Sequence, residues 1–169
     1  MPIEMQDVVD DNDNVVQTLS RDEIWQKGLQ SRVRVINVFV KNSLGQILVP
    51  IRSLQKKNWP GCYDFSCGEN VQAGETYDQA LKRGMVEELG ITDFSAKLIA
   101  KLTPADGEVC FMKVFEVTIP ADTFEFKYDQ AEVEKVIWMD PSEINNLSVS
   151  SPEKFKNGYP QLFNRYYCL

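Results

Sequence analysis

Histidine is absent from all 169 residues, and the four cysteines, Cys62, Cys67, Cys110 and Cys168, form no C-x-x-C pair. A zinc site of the usual Cys/His kind is therefore not expected, and free thiols are. No apolar run reaches the roughly 18 residues that suggest a membrane-spanning helix, so no span is predicted. The first stretch, MPIEMQDVVDDNDN, is acidic and lacks the basic start and apolar core of a secretory signal. The expectation is a cytoplasmic protein. Positive charge is also short: 18 Lys and Arg against 25 Asp and Glu give a net charge of −7. Phosphate backbones want clustered cations, so a nucleic-acid polymer is not an expected partner. A small anion held through a metal ion remains compatible with an acidic chain.

What is present is enough for one domain over residues 1–169, with 43% hydrophobic residues and mixed charges. Strand and helix signals alternate without repeats. Within residues 1–30, Val8-Val9 and Val15-Val16 flank a polar turn and predict a hairpin. Ser20-Arg21-Asp22-Glu23 predicts a capping box that opens a short helix to Leu29. Strands are predicted over 32–40, 46–52, 63–67, 96–102, 108–119 and 133–139. Pro50 cannot donate to a ladder, which points to an edge or a bulge in the second of these. Pro141 starts a short helix. Ser151-Pro152-Glu153 predicts the cap of a C-terminal helix, with Phe155, Tyr159, Phe163, Tyr166 and Tyr167 as packing residues. Trp59 and Trp138 are also expected to pack.

Residues 68–91, GENVQAGETYDQALKRGMVEELGI, carry the chemistry. They read as a loop, a helix and a loop, with the helix over roughly 76–89. Tyr77, Ala80, Leu81, Met85 and Leu89 form one apolar stripe that should pack on the sheet. Positions 84, 87 and 88 share another face, which turns Glu87 and Glu88 toward the loop at Gly68. Two adjacent carboxylates repel, and burying them together without a cation is costly. Mg²⁺, or Mn²⁺, suits them because it prefers oxygen ligands and retains room for phosphates. Arg83, one turn before Glu87 and two turns after Glu75, is placed to tie both. The plainer alternative is that Glu87 and Glu88 form a solvated helix face. Arg52, Lys56 and Lys57 lie on the preceding strand end and loop, where they can bind a diphosphate or form a solvated basic loop.

Glu75, Arg83, Met85, Glu87, Glu88, Gly90 and Ile91 match at fixed spacing, and the segment resembles the Nudix box. The likeness extends to QDVVDDNDNVV, RDEIWQKGL, NVFVKNSLGQILVPIRS, KKNWPGCYDFSCG and VIWMDPSEI, which are similar to the branch related to isopentenyl diphosphate isomerase. The resemblance implies an α/β fold of the Nudix type, an α/β/α sandwich around a central mixed sheet. It also implies Mg²⁺- or Mn²⁺-dependent attack of water on a diphosphate linked to another group; the expected substrate is small and nucleoside-diphosphate-like, with dinucleotides, sugar nucleotides and prenyl diphosphates left open by the sequence. Glu75, Arg83, Glu87 and Glu88 would be the catalytic set, Glu87 and Glu88 metal ligands, and Arg52, Lys56, Lys57 and Gly68 substrate contacts.

Two residues depart from the box. Glu69 stands where the family has its leading glycine, and Gly84 stands where the family has a Glu that serves as metal ligand or general base. A mid-helix Gly costs about 1 kcal/mol relative to Ala. One reading makes the two changes compensate, with Gly84 leaving room for a Glu69 that joins the metal ligands. Otherwise Glu69 is exposed and the site is weakened to a binding module, or Glu132 or Glu134 takes over. Isomerase activity is disfavoured, because the family's isomerases need histidine ligands and a Gly-His after their cysteine. Cys67-Gly68 is followed here by Glu69, and Cys67 reads better as a buried thiol.

Overall fold

The computed structural model describes residues 3–120 and 125–167; Cys168, expected as a free thiol, lies outside them. Alternating apolar residues pair first as a hairpin, β1 (Met5–Val9) with β2 (Val15–Ser20). Ser20 and Glu23 close the expected capping box on α1 (Arg21–Gln26). This helix ends three residues short of Leu29.

The main sheet uses β3 (Arg34–Asn42), β4 (Ile47–Arg52), β6 (Ser95–Leu102), β7 (Phe111–Ile119) and β8 (Val133–Met139) in the order β6-β7-β3-β4-β8. β3 and β7 run parallel and the other pairs antiparallel, so the sheet is mixed. The strand expected over 63–67 forms instead as β5 (Cys67–Asn70), which pairs β3. It fits there because β3 and β4 share a single register pair, Lys41↔Ile47, before parting. Ser66 fills the gap: its hydroxyl accepts from Val40 N at 2.8 Å and donates to Leu48 O at 2.6 Å. Pro50 is therefore tolerated inside the sheet, on a strand that has already left β3, one residue before a register shift at Ile51/Arg52.

Side chains alternate across β3. Ile36, Val38 and Val40 pack with Tyr77, Ala80, Leu81, Met85 and Leu89 of α2 (Tyr77–Leu89), which is the stripe read from sequence. Phe39 faces the other way, onto Ile144 of α3 (Pro141–Ser150) and Tyr159, Leu162 and Phe163 of α4 (Tyr159–Tyr167). Helices thus cover both faces of a central mixed sheet. Ser151-Pro152-Glu153 opens only a single tight turn, Pro152–Lys154, and α4 starts later, at Tyr159. The C-terminal aromatics do pack: Phe155, Tyr159, Phe163 and Tyr167 stack at centroid distances of 5.1, 5.9 and 5.1 Å. Trp138 is half-buried against Phe126. Trp59 does not pack; it is 45% exposed on a loop with φ of 56°. No described helix is long and apolar enough to cross a membrane.

The hairpin also grips the loop ahead of α2. Ala73 N–H donates to Met5 O at 2.9 Å. The buried Asp7 accepts from Gly74 N–H at 2.8 Å and from the Thr18 hydroxyl at 2.7 Å. Replacing Asp7 by Ala leaves a loop N–H unpaired, and the expected loss is about 1–3 kcal/mol. Thr18→Val, at an exposed position, should lose less, roughly 0.5–1.5 kcal/mol. Urea unfolding of both variants checks the order; equal losses would show that the Gly74 bond does not carry the difference.

Candidate metal and diphosphate site

Thr76 caps α2 through a reciprocal box with Gln79, and Gly90 ends it in the left-handed region at φ 71°. These two ends fix which residues face β5. Gly68 N–H donates to Glu88 Oε1 at 3.4 Å, so Glu88 points at the Gly68 loop as the helical spacing requires.

Arg83 organises the acidic groups. Its Nε and Nη2 grip both Glu75 oxygens at 2.9 and 3.1 Å. Nη1 reaches Glu69 at 2.9 Å and Glu87 at 3.2 Å, and Nη2 also donates to Asn70 O at 2.9 Å. The Arg83 hydrogen bonds hold the Glu75 carboxyl below its ordinary value, and the Glu75 bond raises the proton affinity of Arg83 in turn. The sequence linked Arg83 to Glu75 and Glu87; its hold on Glu69 was not foreseen.

Glu69 lies against Gly84. A Cβ built on Gly84 would stand 2.6 Å from Glu69 Cγ and 2.8 Å from Cys67 Sγ. No side chain larger than hydrogen fits at position 84 while Glu69 keeps this course, and the room foreseen at Gly84 is filled by Glu69. The Glu88 carboxyl is raised well above the ordinary 4.5 by burial, then by the neighbouring Glu69 carboxyl and the charge of Asp64. Two neighbouring carboxyls need a shared proton or a cation between them. Among the described residues no three potential ligands are already gathered around one ion position; Arg83 occupies oxygens of Glu69 and Glu87. The donor set nevertheless fits a hard divalent ion, because Glu69, Glu87 and Glu88 all line one cavity of about 450 Å³.

Cationic side chains line the same cavity: Arg52, Lys56, Lys156 and Arg21. Arg52 is heavily engaged, with Nη1 on Asp64 at 2.7 Å and Nε and Nη2 on the carbonyls of Asn58 and Trp59. Lys56 is paired with Glu132. Lys57 is exposed and does not line the cavity, and Glu134 is exposed as well. Lys156 and Asp64 were not singled out from sequence. Lys156 Nζ bonds Asp64 at 3.1 Å across 92 positions of chain. Lys156 N–H donates to Tyr63 O at 2.8 Å, which brings the turn before α4 over β5. A pairing so distant leaves no local pattern to read.

Cys67 is fully buried on the Gly84 face of the helix, and burial, with Glu88 and Glu69 adding, pushes its thiol well above the ordinary 9.0. Cys62 and Cys110 are free thiols.

The family model for the NUDIX domain matches residues 31–165. An uncharacterised Nudix hydrolase of Nostoc sp. is 40% identical over 156 residues, 90% of each chain. A Nudix hydrolase of Deinococcus radiodurans is 31% identical over 95% of this chain and 92% of its own. An isopentenyl-diphosphate Delta-isomerase of Corynebacterium diphtheriae is 29% identical over 69% of this chain and 68% of its own. Among solved structures, the Deinococcus radiodurans protein DR0079 superposes with a TM-score of 0.85 at 31% identity, covering 97% of this chain and 99% of that one. Box residues at family spacing, gathered by one arginine beneath a shared fold, have one consistent reading: the chain belongs to the Nudix hydrolase family.

Proposed function

We propose that the chain is a cytoplasmic Mg²⁺- or Mn²⁺-dependent hydrolase of a small diphosphate of the nucleoside-diphosphate kind, with Glu69, Glu87 and Glu88 as the metal-holding set. The observation that carries this reading is the course of Glu69, which fills the space beside Gly84 and lines the same cavity as Glu87 and Glu88. The carboxylate missing from the helix is thereby supplied from the loop. When bound, the ion supplies positive charge that polarises a phosphoryl oxygen and makes water more acidic. Arg83 keeps Glu75, Glu69 and Glu87 oriented. Lys156, Lys56 and Arg21 offer ammonium and guanidinium groups to the substrate phosphates, while Arg52 mainly fixes the 58–59 loop beside them. One carboxylate of the set takes the proton of the attacking water.

A binding-only module has less support, because Glu69 fills the space at Gly84 and lines the same cavity as Glu88, where it can substitute for the missing acidic group. An isomerase role has little: Cys67 is sealed in the core and no histidine exists.

Glu87→Gln and Glu88→Gln should each lower the Mg²⁺-dependent rate at least about 100-fold, measured as phosphate released from a panel of diphosphates. Arg83→Met should cost roughly 10–100-fold, with weakened metal dependence, as for groups that orient metal ligands. Wild-type rates in either measurement would remove these residues from the site.

Moving the carboxylate back tests the exchange itself. Gly84→Glu alone collides with Glu69 and Cys67, and overpacking of this kind costs about 1–3 kcal/mol. Glu69→Gly alone should lose activity. The double variant Glu69→Gly/Gly84→Glu should recover at least tenfold over Glu69→Gly. A double variant no better than Glu69→Gly means that Glu69 does not stand in for the helix carboxylate.

The raised Glu88 carboxyl fixes a pH trend. The folded chain binds this proton more tightly than the unfolded chain, so its stabilisation is complete at low pH and declines as pH rises above about 4.5. Thermal unfolding with a chelator should show that decline, Mg²⁺ should raise the midpoint more at higher pH, and Glu88→Gln should flatten the trend. A chelated wild type that gains stability over the same interval contradicts the assignment.

A further inference from the structure

We propose that Asp64 is a positioning residue of this site: its carboxylate holds the Lys156 ammonium beside Gly68, on the cavity that Glu69, Glu87 and Glu88 also line. This rests on the diphosphate-hydrolase reading above. Asp64 lies three residues before β5 and is buried. Its N–H donates to Pro50 O at 3.0 Å, and its own Oδ1 accepts from the Phe65 N–H at 2.8 Å. The carboxylate is therefore fixed by the chain that carries it. Its two cations come from elsewhere. Arg52, at the end of β4, bonds Oδ2 at 2.7 Å. Lys156, from the turn before α4, sets its Nζ 3.1 Å from Oδ1 and 3.2 Å from Oδ2. All three side chains line the acidic cavity.

The two cations depend on Asp64 unequally. Arg52 also grips the carbonyls of Asn58 and Trp59, so its course survives loss of the carboxylate. Lys156 has no other charged partner among the described residues. It borders a second, smaller cavity of about 270 Å³ as well, so an untethered stem has more than one place to go. Held by Asp64, its Nζ stands 3.9 Å from the point a Cβ on Gly68 would occupy, and Gly68 N–H donates to Glu88. The ammonium is thus set next to the strand residue that touches a metal-holding carboxylate. Removing Asp64 has two opposed effects. Lost negative charge draws an anion in, but water and salt screen a charge that does not touch the ligand. Lost anchorage means that Lys156 must be ordered at binding, and its charge-assisted hydrogen bond to a phosphate weakens. The second effect is the larger, because it acts on a direct contact.

The test uses the full chain with Mg²⁺ and methylenediphosphonate, a diphosphate analogue that resists hydrolysis. Asp64→Asn keeps the shape of the side chain and an oxygen for the Phe65 N–H. Calorimetric titration of this variant should show about tenfold weaker binding of the probe, whereas a carboxylate that only cancels charge predicts tighter binding. Lys156→Met, at a half-exposed position where folding is not at stake, should show a similar loss, and the double variant should be no weaker than Lys156→Met by more than about twofold. Mn²⁺ affinity without the probe should stay within about threefold of wild type in Asp64→Asn. Where a diphosphate is hydrolysed, KM for Asp64→Asn should rise about tenfold with kcat changed less than about threefold. Tighter or unchanged probe binding in Asp64→Asn, additive losses in the double variant, or an equal loss of Mn²⁺ affinity overturns the proposal. No loss in Lys156→Met does so by itself. If the binding losses are seen but no diphosphate is hydrolysed with Mg²⁺ or Mn²⁺, the role of Asp64 stands and the hydrolase reading fails. Hydrolysis with KM unaltered in Asp64→Asn gives the reverse.

Discussion

One guanidinium holds the acidic site together. Glu69, Glu75 and Glu87 would push apart, and each belongs to a different piece of chain: β5, the loop before α2, and the helix itself. Arg83 bonds all three and the Asn70 carbonyl as well. Only a planar group with several fixed donors can grip Glu75 with two nitrogens while reaching sideways to two more carboxylates; a lysine ammonium has no such fork. The hairpin contributes from behind. By pinning Ala73 and Gly74 it fixes where Glu75 begins, and Glu75 in turn fixes the tilt of Arg83. The order of the site therefore descends from the N-terminal strands through one loop to one side chain.

The Glu69–Gly84 exchange follows from the space between β5 and α2. Strand and helix pack closely there, with Cys67 Sγ and Glu69 Cγ both inside the volume of a side chain at 84. Only one carboxylate fits the space next to Glu88. It can come from the helix, with a small residue on the strand, or from the strand, with a small residue on the helix. Glycine in mid-helix is a stability cost, accepted here because any Cβ would expel the loop carboxylate.

Sequence patterns reached as far as local periodicity and spacing go. The stripe on α2, the capping box at Ser20 and the links from Arg83 to Glu75 and Glu87 span twelve residues or fewer, set by helix geometry, and they were legible. Strand alternation located most of the sheet but misplaced β5, because its pairing depends on β3 and β4 parting around Ser66, a tertiary event. The start of α4 was missed for a similar reason: Ser151-Pro152 does open a turn, but Lys156 must leave it to bond Tyr63. Lys156 and Asp64 stayed hidden because nothing near either residue encodes a partner 92 positions away.

That hidden pair bears on how an acidic chain takes an anion. The larger cavity is lined by four cationic side chains, Arg21, Arg52, Lys56 and Lys156, and by six acidic ones, Asp64, Glu69, Glu87, Glu88, Asp129 and Glu132. Asp64 and Glu132 already neutralise much of the basic wall through Arg52, Lys156 and Lys56. With every group ionised, the cavity is two charges negative, and a diphosphate entering it meets repulsion at close range, where screening is weak. Protons can relieve this, as the raised Glu88 carboxyl indicates, but they also consume the base that hydrolysis needs. A single divalent cation restores neutrality and leaves the carboxylates ionised. On the proposed reading, the charge distribution of the folded chain would make metal and substrate binding favour each other, and anion binding that was strongest in the absence of any divalent ion would contradict this electrostatic account.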